Sequence, residues 1–140
     1  MEIRHQIYQK LLHSFPAVPP EAGAVLGGQN GTVTHFAYDS GIPCYESAIY
    51  TPSTDELNKV IQKWSGHDIS FYGIAHSHPP GQVELSISDM AYIMRIMDHM
   101  PDSIQALFFP LVIPGERIIP FVAHRASGTI SISPDTVLLK

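Results

Sequence analysis

Cysteine is nearly absent from these 140 residues: Cys44 stands alone. That excludes an internal disulfide framework and suits a reducing compartment, and the thiol reads as packed or idle rather than as a nucleophile. Charge is scarce too, with 15% charged residues and a formal net charge of −5. No lysine or arginine cluster supplies the electrostatic footprint that nucleic acid requires, so no nucleic-acid partner is expected. Long apolar runs are missing as well. The longest, near Ala106 to Ile113, contains Pro110 and is too short to span a bilayer. Glu2, Arg4 and Lys10 break up the N-terminal apolar residues, so no signal peptide is predicted. There is no internal repeat, low-complexity tract or linker. What remains, 44% apolar residues over 140 positions, predicts one globular domain, residues 1–140, with a core that needs no staples. A cytoplasmic location with no membrane partner follows; the oligomeric state does not.

Hydrophobic spacing divides the chain. Ile3, Ile7, Leu11 and Phe15 predict an amphipathic first helix over residues 2 to 15, ended by Phe15-Pro16 and Pro19-Pro20. Residues 21 to 28 read as a strand, Gln29-Asn30-Gly31 as a hairpin turn, and Thr32 to Tyr38 as its partner strand. Asp39-Ser40-Gly41 turns the chain again, ahead of a strand from Tyr45 to Tyr50. Ser53 and Glu56 form a capping box before Leu57, Val60, Ile61 and Trp64, which share one helical face. A buried strand leads to His78, and a helix runs from about Ile87 to His99, stopped by Pro101. Strands from Ile104 to Ile113 and Ile118 to His124 flank Pro114-Gly115-Glu116, with a short last strand from Ile130 to Ser133. The order predicts an α/β sandwich around a curved mixed sheet.

The chemistry concentrates in His76-Ser77-His78-Pro79 and Ser86-Ile87-Ser88-Asp89. Side chains two apart on a strand share a face, so His76 and His78 emerge together while Ser77 points away. Pro79-Pro80-Gly81 then forces a loop. Ser86 and Asp89 have the spacing of an N-cap and its third helical residue, which holds Asp89 back toward that loop. Two imidazoles and a carboxylate make a three-ligand zinc site with a fourth position for water, as in hydrolytic zinc enzymes. Each piece has a blander reading alone. An S-x-x-D pair is usually only a cap, and an H-x-H can simply end a strand. The joint spacing favours the metal. The other histidines (His5, His13, His35, His67, His99 and His124) share no ligand spacing. Tyr45, Tyr50 and Trp64 read as core or rim packing.

These residues resemble the JAMM (MPN+ or JAB) metalloproteases, whose signature is His-x-His, seven residues, Ser, two residues, Asp, with a glutamate well upstream. His76, His78, Ser86 and Asp89 match the downstream elements, and Glu21, followed by Gly28 seven residues on, looks like the upstream one. Ala24 stands where the family commonly has glycine. The resemblance extends to about Arg125. It implies the MPN fold, a cytidine-deaminase-like α/β sandwich, and a zinc peptidase. In that reading His76, His78 and Asp89 hold Zn2+. Glu21 takes a proton from water and returns it to the leaving amine, and Ser86 donates to the developing oxyanion. Glu46, on another possible strand, and Glu84, in the loop, remain alternatives to Glu21 as the base.

The resemblance further implies cleavage after the C-terminal glycine of a ubiquitin-like or sulfur-carrier protein, usually at an isopeptide bond. The chain passes from the Asp89 helix straight to short strands, leaving little room for the second insertion of eukaryotic relatives. A compact prokaryotic type is expected. Two other readings stay open: a non-catalytic MPN scaffold, and a metallopeptidase with an unrelated substrate.

Overall fold

The computed structural model describes residues 1–17, 21–39, 50 and 52–140. The first element is not the expected helix but a two-residue strand, β1 (Glu2–Ile3), followed by helix α1 (His5–Ser14). Ile3 has the right spacing for the helix, yet its backbone pairs in parallel with Val33 on one side and Leu139 on the other. Two such long-range partners cannot be seen in a local periodicity. Strands β2 (Gly23–Gln29) and β3 (Thr32–Asp39) form the expected hairpin, closed by Asn30 and Gly31 at positive φ. That two-residue turn matches the strand twist and favours Asn-Gly. Helix α2 (Thr54–Ser65) starts at Ser53, whose hydroxyl accepts from the Glu56 N–H. Then come β4 (Ser70–Ser77) and helix α3 (Ile87–His99).

The expected strand from Ile104 to Ile113 is two strands, β5 (Ala106–Phe108) and β6 (Leu111–Ile113). The expected strand from Ile118 to His124 is likewise split into β7 (Arg117–Ile119) and β8 (Phe121–Ala126). Pro110 and Pro120 sit at the two breaks, and neither has an N–H to donate to a ladder. The breaks let the chain change partners: β5 pairs with β4 and β8, while β6 pairs with β4 and β7. β9 (Thr129–Pro134) is the expected last strand lengthened, and β10 (Leu138–Leu139) adds a further short one. The expected turn after Asp39, the strand from Tyr45 and the Pro19-Pro20 stop fall largely outside the described residues.

Among the described residues the strands form one mixed sheet in the order β10-β1-β3-β2-β4-β5-β8-β9, with β6 and β7 attached beside β4. Side-chain alternation gives each face its own core. Ala24, Leu26 and Ala75 face Leu11, Leu12 and Phe15 of the α1 region. Val25 and Ile74 face the opposite way, toward Leu57 and Trp64 of α2 and Tyr92, Ile93 and Met97 of α3. The result is a mixed α/β sandwich, with α1 on one face and α2 and α3 on the other. Where β4 pairs with β5, Gly73 has a φ of 142° and lies against the Phe108 backbone, which leaves no room for a side chain.

Candidate metal centre

The centre lies at the C-terminal end of β4, where the backbone is pinned from both sides. The N–H groups of His76 and His78 donate to the carbonyls of Pro110 and Val112 at 3.2 and 3.0 Å. Between them, the Ser77 N–H donates to the Ala22 carbonyl at 2.8 Å, and Ser77 Oγ accepts from the Ala22 N–H at 2.9 Å. Alternation therefore sends both imidazoles to one face, as expected, while Ser77 ties the strand to the segment carrying Glu21. Asp89 arrives from α3 through a complete capping box. Ser86 Oγ accepts from the Asp89 N–H at 3.0 Å, and Asp89 Oδ2 accepts from the Ser86 N–H at 2.8 Å.

The three expected ligands converge, with each imidazole against a different carboxylate oxygen of Asp89. His76 Nε2 and His78 Nε2 are 3.0 Å apart, His78 Nε2 is 3.0 Å from Asp89 Oδ2, and His76 Nε2 is 3.1 Å from Asp89 Oδ1. His76 and Asp89 are fully buried and His78 is 4% exposed. Glu21 closes the group, with Oε1 at 4.0 Å from His78 Nε2 and its side chain 13% exposed. Ligand atoms bound to zinc at about 2.0–2.2 Å in a tetrahedron lie roughly 3.3–3.6 Å from one another. The three observed contacts, 3.0 to 3.1 Å, are each slightly shorter than that.

Two further observations fit a cation here. Asp89 Oδ1, though close to His76, has no hydrogen bond, and it is the only such buried side-chain atom among the described residues. A buried carboxylate oxygen without a donor is costly unless a positive charge faces it. The outward nitrogens are also held. The Gln82 carbonyl, 3.0 Å from His78 Nδ1, can only accept, so that nitrogen carries the proton and the Nε2 of neutral His78 keeps its lone pair. His76 Nδ1 lies 2.8 Å from Tyr92 Oη, and ligation through Nε2 requires Nδ1 to be the donor. Burial first, and then the charges of Asp89 and Glu21, push the Tyr92 hydroxyl well above its ordinary range.

Electrostatics link Asp89 to both imidazoles. Burial alone would raise the Asp89 carboxyl, but contacts with both imidazoles and the Ser86 N–H outweigh it and hold the group well below the usual carboxylate range. Burial alone would likewise lower His78. Its hydrogen bond with Asp89, and then the charges of Asp89 and Glu21, reverse the sign and raise it above its ordinary value.

All five residues singled out in the sequence meet here or at the rim: Glu21, His76, His78 and Asp89 in one cluster, and Ser86 beside it. Glu21 precedes β2 rather than lying on it. Glu84 is exposed in the loop, and Glu46 lies outside the described residues. Three contributors were not singled out. Tyr92 could have been found, because it lies three positions after Asp89 on the same helix and so shares its face. Asp39 and Tyr50 belong to the neighbourhood through pairings and returns of the chain that no local pattern reports. Tyr50 is core packing, as expected, but its ring also stacks on His76, with centroids 6.1 Å apart and planes 18° apart.

No family model and no curated protein matches the chain. Solved structures do. A protein from Desulfitobacterium hafniense, DSY2949, is similar with a TM-score of 0.66 and 18% identity, covering 99% of this chain and 92% of that one. A protein from Salinibacter ruber is similar with a TM-score of 0.58 and 13% identity, covering 100% and 92%. Both likenesses concern the fold over its full length.

Proposed function

We propose that this chain is a compact zinc peptidase of the JAMM kind, built on the MPN form of the α/β sandwich. The observation that carries the reading is the meeting of Glu21, His76, His78 and Asp89 around a buried carboxylate oxygen that lacks a donor. His76, His78 and Asp89 would hold the ion, which when bound supplies Lewis acidity to polarise water and a substrate carbonyl. Glu21 is partly exposed beside His78, where its carboxylate can take a proton from the attacking water. It returns that proton to the amine nitrogen as the C–N bond breaks. Ser86 Oγ already accepts from the Asp89 N–H, which leaves its own proton to donate to the developing oxyanion.

The substrate we propose is the amide bond after the C-terminal glycine of a ubiquitin-like or sulfur-carrier protein. This rests on the resemblance of the motif, together with the exposure of Ser86 and Ile87 next to the 79–85 loop that flanks the cluster. An extended tail could reach it along a strand edge. The single cysteine suits a cytoplasmic location, and no described helix is long and apolar enough to cross a membrane.

The test is a panel of ubiquitin-like proteins fused through Gly-Gly tails to a reporter peptide. The zinc-loaded protein should cleave at least one. Glu21→Gln should retain zinc and lose about 10²–10⁴-fold in rate, the usual worth of a positioned acid–base group. A zinc-loaded protein that leaves every fusion intact, or a Glu21→Gln variant with near-normal turnover, would contradict the proposal.

A further inference from the structure

Glu21 is held at the site by more than the segment that leads into β2. Its Oε2 accepts from the backbone N–H of Tyr50 at 3.2 Å, which leaves Oε1 as the atom that faces His78. Tyr50 is itself fixed at the far end of its side chain, where its hydroxyl donates to Asp39 Oδ2 at 2.6 Å in a buried contact. The same oxygen accepts from the Ser53 N–H at 3.2 Å, so Asp39 secures the returning chain at two points.

The sheet register explains how one ring can connect these groups. Gly23 of β2 pairs with Asp39 on β3 and with His76 on β4. The Tyr50 ring lies over Gly23, where a Cβ would collide with it. From there it spans three adjacent strand ends, bonding to Asp39 at one side and stacking on His76 at the other. Only glycine at position 23 leaves the space this requires.

We propose that Asp39 and Tyr50 are positioning residues that orient the Glu21 carboxylate toward His78. The inference rests on the peptidase reading of the same site. Neither residue is assigned a proton transfer or a bond to the ion. Asp39 fixes the Tyr50 hydroxyl, the fixed ring sets the Tyr50 backbone, and that backbone N–H occupies one oxygen of the base. The Glu21 side chain has three rotatable bonds between its backbone and its carboxyl carbon, so without this bond the carboxylate would sample orientations that do not face the centre.

The experiment uses the full chain loaded with zinc and a ubiquitin-like protein joined through a Gly-Gly tail to a reporter peptide. Tyr50→Phe keeps the ring and removes only the hydroxyl. It should lower kcat about 10- to 100-fold, the range typical of lost supporting contacts around an active site, while KM and zinc content stay at wild-type values. Asp39→Ala should give a similar loss, and the double variant should lose no more than the worse single one, because both act through one linkage. Hydrogen exchange supplies a readout independent of turnover: the Tyr50 amide should exchange at least tenfold faster in Tyr50→Phe. Wild-type kcat in both single variants would overturn the inference. So would independent, multiplying losses in the double variant, or a loss confined to zinc content and melting temperature. Zinc content of the wild type and the inactivity of Glu21→Gln test the peptidase reading separately. If those hold while Tyr50→Phe turns over normally, the positioning role alone falls.

Discussion

His78 carries the most consequential balance of forces in the molecule. Its Nδ1 donates to a carbonyl, and its Nε2 faces Asp89 and, more distantly, Glu21. Without a metal, those two carboxylates favour the imidazolium and raise the pKa above the ordinary 6.5 in spite of burial. A zinc ion and that proton compete for one lone pair. The sign follows directly. Below the raised pKa the proton must be displaced, so zinc affinity falls by about tenfold for each unit of pH. Above it, His78 adds no further dependence. Asp89, held well below the usual range, stays a carboxylate throughout and contributes nothing to the slope. Calorimetric titration with zinc from pH 6 upward should therefore show affinity rising past pH 6.5 and then levelling. An affinity independent of pH across that window would contradict the displacement of a proton from His78 by the ion.

At the scale of elements, the start of α3 has two tasks that one substitution separates. Ser86 caps the helix, and it is also the proposed oxyanion donor. Losing a serine cap for alanine costs about 0.5–2 kcal/mol of stability. Losing one oxyanion donor costs about 3–4 kcal/mol in the transition state. Ser86→Ala should therefore remain folded with a slightly lower Tm, keep its zinc, and lose on the order of 10²–10³-fold in kcat. A loss of rate no larger than the loss of stability explains would leave Ser86 as a cap alone. This element was legible in the sequence because its rules are local: His-x-His at the period of a strand, and Ser-x-x-Asp at the period of a capped first turn. The Asn30-Gly31 hairpin was legible for the same reason. What escaped was non-local. Ile3 belongs to a strand because Val33 and Leu139 flank it, although its spacing suits a helix. Pro110 and Pro120 were visible as prolines, yet only the exchange of partners between β5 and β6 shows why the strands break there. Asp39 comes level with Gly23 through a register shift at Gly27/Gly28 that the turn alone does not announce.

For the whole molecule, the site ties together parts that are distant along the chain. Glu21 precedes β2, the histidines end β4, and Asp89 begins α3. An ion held by His76, His78 and Asp89 therefore binds the folded chain and not the unfolded one, and must stabilise it by mass action. At free zinc about a thousandfold above Kd the gain is about 4 kcal/mol. In a domain of this size that corresponds to a rise in Tm of roughly 10–15 °C. Scanning calorimetry with zinc and with a chelator should show the difference, and His78→Ala should abolish it. Equal shifts in the two proteins would place the ion elsewhere.

The most direct test is the zinc content of the purified, dialysed protein, measured by elemental analysis for the wild type and for His76→Ala and His78→Ala. One zinc per chain in the wild type, and essentially none in either variant, is the predicted result. A wild type that holds no stoichiometric zinc, or variants that hold as much as it does, would contradict the account.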